Sequence, residues 1–177
     1  YRYDVFEKEG IAIPKTTDEF YDAAKKLKAA YPSSYPIGRT EWCSSENKTF
    51  KTSDTFMWDG KGYVFGPVTE NYKDKLKYLN KLYSEQLLDP ESFTEDEDTH
   101  TKKALNGTNL MEMGQWVSNS LEWNQNAESD TKWVNALAPS DPKYGDAWQD
   151  VSNVNEPKLN SEVVVINTEA KNIDALT

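Results

Sequence analysis

Cysteine and histidine are nearly absent from this sequence, which has one of each, Cys43 and His100, among 177 residues. A single cysteine excludes an internal disulfide and a cysteine-rich zinc site. A single histidine excludes most histidine-based metal sites and argues against a histidine-dependent catalytic triad. Phosphate-binding glycine loops, EF-hand loops and the signatures of zinc proteases and serine hydrolases are missing as well. We therefore predict a protein that is not an enzyme and has no catalytic residue, cofactor or metal ion.

Basic charge and long apolar runs are also scarce. The 20 Lys and Arg residues are outnumbered by 30 Asp and Glu residues, which gives a formal net charge of −10. Because clustered basic side chains bind phosphate groups, a nucleic-acid partner and an anionic membrane surface are both disfavoured. No segment approaches the roughly 20 apolar residues of a membrane-spanning helix. The sequence opens on Tyr1 with neither an initiator methionine nor a signal sequence, so we expect it to be cut from a longer protein.

Aromatic residues are plentiful, with 6 Trp, 10 Tyr and 6 Phe. A disordered chain of similar polarity would lack them, so the sequence predicts a folded domain. The tryptophans are Trp42, Trp58, Trp116, Trp123, Trp133 and Trp148. Several of them lie beside turn signals, where a flat ring could stack on the apolar face of a sugar. For any one of them, burial in the core is an equally good interpretation.

Local patterns predict two long helices. Thr16 and Glu19 have the spacing of a capping box, and a helix is expected from there to Tyr31. A second helix is expected from Thr69 to about Leu88, because apolar residues recur there at helical spacing. Its predicted buried stripe consists of Tyr72, Leu76, Leu79, Tyr83 and Leu87.

Shorter elements complete the expected architecture. Helices are predicted over residues 4–9, 95–105 and 117–126, with Val117, Leu121 and Asn124 of the last one facing inward. Strands are predicted within 35–42, 110–113 and 161–167, together with a hairpin that turns at Asp59-Gly60-Lys61-Gly62. Residues 44–55 and 138–160 are expected to be loops. The sum is a helix-rich α/β lobe with a small central β-sheet.

The stretch NGTNLMEMGQW, residues 106–116, combines a helix stop, a short apolar strand, Gly114 and then Trp116. One interpretation is that Trp116 fills the core. The other is that Gly114 turns the backbone at the lip of a cleft, where a larger residue would block a ligand, and that Trp116 supplies a stacking surface.

Carboxylates next to tryptophans leave a third possibility open. Glu41, Glu112 and Glu122 each lie beside a tryptophan or close to one, and glycosidases use two carboxylates near aromatic rings. That chemistry needs the two carboxyl groups about 5 to 10 Å apart, which a sequence does not specify. Solvated or salt-bridged surface carboxylates explain the same pattern.

Four phrases resemble, in order, the second lobe of extracellular solute-binding proteins of bacterial ABC sugar importers. They are YRYDVFEKEGIAIPKTTDEFYDAAKKLK at the start, YLNKLYSEQLLDPESF, ALNGTNLMEMGQW and VVVINTEAKN. They extend over nearly the whole chain. Each phrase by itself matches the family pattern only in part, and the specificity of the resemblance comes from finding all four in the family's order.

The resemblance implies a fold of two α/β lobes that close on a ligand like a hinge. Residues 1–166 would form one solute-binding lobe, and residues 167–177 would begin the return to the missing first lobe. The expected partners are a small-molecule solute, most simply a carbohydrate, and an ABC permease. The expected location is extracellular, on a cell-surface lipoprotein anchored upstream of this segment, or periplasmic.

The resemblance also places candidate ligand-binding residues. Trp116 matches a position that often stacks on sugar, with Gly114 before it, and Tyr1 matches an aromatic that often borders the cleft. Arg39, Glu41 and Trp42 follow the first strand of the lobe, where cleft loops lie. The sequence departs from the family pattern at Gln86, where a glycine is usual, and at Glu112, which enters the strand.

Two rival functions remain at this point. A stand-alone carbohydrate-binding or adhesion module would bind glycans with this chain alone, and a glycosidase fragment would need two facing carboxylates. Within the receptor interpretation, a non-sugar solute is also possible.

Overall fold

The computed structural model describes residues 1–39, 45–113, 117–127 and 130–147. The helices in these ranges are α1 (Tyr3–Lys8), α2 (Thr17–Ala30), α3 (Ser45–Thr49), α4 (Glu70–Ser84), α5 (Glu97–Asn106) and α6 (Val117–Asn126). The strands are β1 (Tyr35–Ile37), β2 (Phe56–Trp58), β3 (Tyr63–Phe65) and β4 (Asn109–Met111), and a 3-10 turn, Gly66–Val68, precedes α4. No helix within these ranges is long and apolar enough to cross a membrane.

The predicted capping box begins α2. The Thr16 side chain accepts a hydrogen bond from the Glu19 backbone N–H at 3.2 Å, and the Glu19 carboxylate accepts one from the Thr16 N–H at 3.3 Å. Two backbone donors that the first helical turn leaves without partners are thereby satisfied. The helix then buries Phe20, Ala23 and Leu27 on one face, as the apolar spacing predicts.

Thr16→Ala is expected to lower the free energy of unfolding by about 1 kcal/mol, because it removes the oxygen that caps α2. Chemical denaturation followed by circular dichroism measures this change. Thr16→Ser keeps the oxygen and should recover most of the loss. Equal stability of the alanine and serine variants would contradict a capping role.

A parallel strand pair lies at the centre of the fold. β1 pairs with β4, with Tyr35 opposite Asn109 and Ile37 opposite Met111. The chain after α4 joins the other side of β1 through a bridge between Ile37 and Leu88. Helix α2 packs beside this pair, and the main core includes Phe6, Phe20, Leu27, Ile37, Leu82 and Met111. Because the pair is parallel, the carboxyl ends of β1 and β4 meet at the same edge.

Helix α4 forms within the predicted range but ends at Ser84, and the predicted stripe is confirmed at Leu87, which is buried just after the helix. The predicted stripe is wrong at Leu76 and Tyr83, which are exposed. The residues turned inward are Lys75, Tyr78 and Leu82. Lys75 is held by the Asn47 side-chain oxygen at 2.8 Å and the Asp54 carboxylate at 2.7 Å. The hydrogen bonds of Lys75 therefore help to turn inward a face of α4 that apolar spacing does not predict.

The hairpin prediction is confirmed by the antiparallel pair β2–β3, in which Asp59 accepts hydrogen bonds from the Lys61 and Gly62 N–H groups. Residues 44–55 are not entirely loop, because α3 occupies Ser45–Thr49. The strand predicted over 161–167 and the end of the loop predicted over 138–160 lie outside the described residues.

The inward face predicted for α6 is wrong at Leu121, and the side chain of Val117, also predicted to face inward, lies outside the described part of the structure. Leu121 is 59% exposed, whereas Trp123 is only 2% exposed. Trp123 lies in a second small core with Ala104 and Trp133. The Asn124 side chain turns to the chain beyond the helix, where it donates to the Trp133 carbonyl at 2.9 Å and accepts from the Trp133 N–H at 2.6 Å. Trp123 and Trp133 are therefore structural.

Candidate functional site

The carboxyl ends of β1 and β4 form the candidate site, which we call the sheet edge: Gly38 and Arg39 after β1, Glu112 and Met113 after β4. The Gly38 N–H donates to the Met111 carbonyl at 2.9 Å, and the Met113 N–H donates to the Arg39 carbonyl at 3.1 Å. The two segments thus leave the sheet side by side. In open α/β sheets, ligands bind in the crevice outside the carboxyl ends of the strands.

Arg39 and Glu97 form an ion pair at the sheet edge. Nη1 of Arg39 lies 2.6 Å from Oε2 of Glu97, and the Arg39 side chain is buried while that of Glu97 is 54% exposed. Glu97 belongs to the first turn of α5, where the helix dipole favours a negative charge. A charge-assisted hydrogen bond of this length holds the guanidinium firmly. The exposed carboxylate keeps acceptor capacity for a ligand.

Glu112 lies beneath this edge with a buried carboxyl group. Its Oε2 atom accepts the Arg39 backbone N–H at 2.7 Å. Burial raises the pKa of Glu112 to about 8. A Cβ atom on Gly38 would come within 2.3 Å of the Glu112 Oε1 atom, so a side chain at position 38 would displace the carboxyl group. The Glu112 carboxyl group therefore fits in its position because residue 38 is a glycine.

His100 on α5 adjoins Glu112 from the other side. Its Nδ1 atom lies 2.9 Å from Oε1 of Glu95, and its Nε2 atom lies 3.8 Å from Oε2 of Glu112. Burial lowers the pKa of His100, although the Glu95 carboxylate opposes this effect. The histidine is thus a buried neutral group, and no group of three or more metal-ligating side chains occurs in the part of the chain that the structure describes.

The sequence profile of bacterial extracellular solute-binding proteins matches residues 1–176. The chain belongs to this family. No match was found among curated protein sequences.

Solved structures of solute-binding proteins share the fold. The binding protein MsmE of Bacillus subtilis, in an open conformation, is 15% identical with a TM-score of 0.60, over 80% of this chain and 38% of its own. The alginate-binding protein AlgQ2 without calcium ion is 17% identical with a TM-score of 0.67, over 81% and 32%. The ABC-transporter substrate-binding protein FusA of S. pneumoniae, in complex with kestose, is 18% identical with a TM-score of 0.61, over 81% and 31%. This chain therefore spans well under half the length of the solute-binding proteins it resembles.

The structure brings only part of the predicted site into view. Arg39 follows β1 at the sheet edge, and its contact with a ligand stays a prediction. Four other predicted residues lie outside the described ranges: Glu41, Trp42, Gly114 and Trp116. Their segments directly follow Arg39 and Met113 in the sequence, and these two residues are hydrogen-bonded to each other at the edge.

Tyr1 has a different setting from the one expected for a ligand-stacking aromatic. Its ring packs edge-on against Phe6 at 5.4 Å and Phe20 at 6.3 Å, and the residue is 8% exposed. Burial raises the pKa of the Tyr1 phenol well above its usual range. In this lobe the ring is a core residue, and its contact with a ligand stays a prediction.

Sequence reasoning missed three residues of this solute-binding lobe: Gly38, Glu97 and His100. Glu97 lies in the acidic run 95–98, which the start of a helix explains. No further feature of the sequence indicated that Glu97 pairs with Arg39. Gly38 follows an apolar strand, and a glycine there is the one signal that could have indicated a close approach. Nothing in the sequence relates His100 to Glu112.

Proposed function

We propose that this chain is the second lobe of a receptor that captures a carbohydrate in the cleft between two lobes and delivers it to an ABC permease. Membership of the solute-binding family supports a capture role. Two relatives of the same fold are described as binding a saccharide: AlgQ2, which is alginate-binding, and FusA, in complex with kestose. We expect such a ligand to bind at the sheet edge of this lobe, because ligands of open α/β sheets bind outside the carboxyl ends of the strands.

The observation that carries the proposal is the Arg39–Glu97 pair at the carboxyl edge of the parallel strands. A sugar hydroxyl can donate a hydrogen bond to a carboxylate, so it suits the exposed Glu97 side chain, which the buried Arg39 guanidinium holds in place. The tryptophan-bearing segments that follow Arg39 and Met113 would add stacking surfaces, with Trp42 from one and Trp116 from the other. Capture of this kind needs no covalent chemistry.

A missing first lobe would provide the opposite wall of the cleft. Hinge closure then completes the contacts and shifts the population toward the closed form. We place the whole receptor outside the cytoplasm, as an extracellular lipoprotein anchored upstream of Tyr1 or as a periplasmic protein. The permease would bind the closed form of the receptor.

Trp116→Ala in the intact two-lobe receptor is expected to weaken saccharide binding by about tenfold or more, equivalent to roughly 1.4 kcal/mol, because it removes a stacking ring. Thermal shift against kestose, alginate oligosaccharides and neutral disaccharides identifies the ligand, and isothermal calorimetry measures the change in affinity.

Tyr83→Ala is the matched control, since Tyr83 is an exposed aromatic on α4. It should leave affinity unchanged. Affinity that survives Trp116→Ala would place Trp116 in the core instead. If no saccharide stabilises the wild type, the receptor takes a non-sugar solute.

A further inference from the structure

A buried polar chain runs beneath the sheet edge. It starts at Glu95, passes through His100 and Glu112, and ends at the Arg39 main chain, with successive separations of 2.9, 3.8 and 2.7 Å. All three side chains are almost completely buried, at 1%, 0% and 4% exposure. Nε2 of His100 and Oε1 of Glu112 have no hydrogen-bond partner among the described residues, and Oε2 of Glu95 lies 2.7 Å from the Lys103 ammonium group.

We propose that Glu112 is a positioning residue for the sheet edge: it holds the Arg39 backbone in place as a neutral carboxylic acid beside His100, and ligand capture is lost when it ionises. This inference rests on the proposed function. It adds a proton-dependent control of the Arg39–Glu97 pair, through a residue that touches no ligand.

The geometry explains why the neutral form is the competent one. The hydrogen-bonding partner resolved for the Glu112 carboxyl group is the Arg39 N–H, and Oε1 fills the space left by the missing side chain of Gly38. A buried carboxylate requires several donors or an opposite charge. A single N–H does not meet that requirement, so the ionised side chain is expected to leave its pocket or admit water. Either change releases the Arg39 main chain.

The charged groups around Glu112 reinforce this preference. From the α5 side, Glu95 disfavours a second negative charge, and so does Asp89, which follows α4. Lys103 is occupied by Asp89, Glu91 and Glu95. Arg39 is paired with Glu97. The α-amino group of Tyr1 opposes the trend in this chain, but in the proposed receptor the first lobe precedes Tyr1 and that charge is replaced by a peptide bond.

The direction of the pH effect follows from these groups. The pKa of Glu112 is raised from 4.5 in the unfolded chain to about 8. Its contribution to stability is therefore complete below pH 4.5 and is lost as the pH rises toward 8. The lowered pKa of His100 acts in the opposite sense, because stability is lost as the pH falls below 6.5. Between pH 7 and 9 the expected loss of stability therefore comes from Glu112 and not from His100.

The test compares saccharide affinity at pH 7 and pH 9 in the intact receptor, using the saccharide identified by thermal shift. If only the neutral form binds, the competent fraction falls about tenfold over this interval, and so does the apparent affinity. Glu112→Gln is always neutral and keeps the side-chain volume, so its affinity should stay within about twofold. The Glu112→Ala variant should bind the saccharide weakly at both pH values. Tight binding by Glu112→Gln would then show that a neutral hydrogen-bonding side chain at position 112 is enough to position the Arg39 main chain.

Glu122→Gln is the matched control, because Glu122 is exposed on α6 and should retain the wild-type pH dependence. A parallel fall in affinity for the wild type and Glu112→Gln would overturn the proposal. A second readout needs no ligand: the melting temperature should fall from pH 7 to 9 in the wild type and not in Glu112→Gln. Identical melting profiles would overturn the role of Glu112 even if no saccharide binds, whereas distinct profiles without binding would reject the carbohydrate function alone.

Discussion

Trp123→Ala is expected to lower the free energy of unfolding by about 3–5 kcal/mol, the usual range for removal of a large buried aromatic. The Trp123 ring packs edge-on against Trp133 at a centroid distance of 4.8 Å and against His100 at 5.7 Å. Its loss leaves a cavity between α5, α6 and the Trp133 segment, and the surrounding backbone cannot fully close it. Urea denaturation monitored by circular dichroism measures the effect.

Leu121→Ala on the same helix is the control. Leu121 is exposed, so its truncation should change stability by less than about 0.5 kcal/mol. The apolar pattern of the sequence predicts the reverse order, with Leu121 inward. A larger loss from Leu121→Ala than from Trp123→Ala would show that α6 docks by the other face.

Lys103→Met is expected to lower the free energy of unfolding by about 3–5 kcal/mol, because it removes the cation that pairs with the buried carboxylates of Asp89 and Glu95. The Lys103 Nζ atom lies 2.9 Å from Asp89 and 2.7 Å from both Glu91 and Glu95. Burial by itself lowers the pKa of Lys103, but hydrogen bonds to these carboxylates raise it above its usual range. Without the ammonium group, Asp89 and Glu95 become unpaired charges at 1% exposure. Thermal and urea denaturation at pH 7 test this prediction.

Lys73→Met provides the matched comparison. Lys73 and Glu70 form an ion pair at 3.5 Å in which both side chains are well exposed. Such surface pairs contribute between about 0 and 1 kcal/mol. If Lys103→Met were no more destabilising than Lys73→Met, the buried cluster would not depend on its lysine.

Local chemistry explains which elements could be predicted. The capping box at Thr16 and Glu19 lies within four residues, and the start and end of α5 depend on Asp96 as N-cap and Gly107 at a φ of 80°. The β2–β3 turn depends on Asp59 and the glycines beside it. Each of these features is decided by groups that are neighbours in the chain. Sequence patterns therefore located these elements, although α5 begins at Glu97 instead of the predicted residue 95.

Burial is decided by distant groups, and here the pattern failed twice. Lys75 is buried because Asn47 and Asp54, more than twenty positions away, give it oxygen partners. Trp123 is buried because Trp133 and His100 approach it from other segments. Hydrophobic spacing assigns lysine to solvent and leucine to the core, so its prediction is wrong at Leu76 and Tyr83 in α4 and at Leu121 in α6.

The sequence by itself determined the class of this protein: a folded, acidic, aromatic-rich α/β lobe of the extracellular solute-binding family, with Arg39 just beyond its first strand. Helix caps, turns and the order of the motifs are enough to assign this class, because each is a pattern of residues that are close together in the chain. Only the tertiary structure decided that Arg39 pairs with Glu97 and rests on Glu112, 58 and 73 positions away. Parallel strand pairing brings those segments to one edge, and burial there alters the charge of Glu112, which no linear pattern encodes.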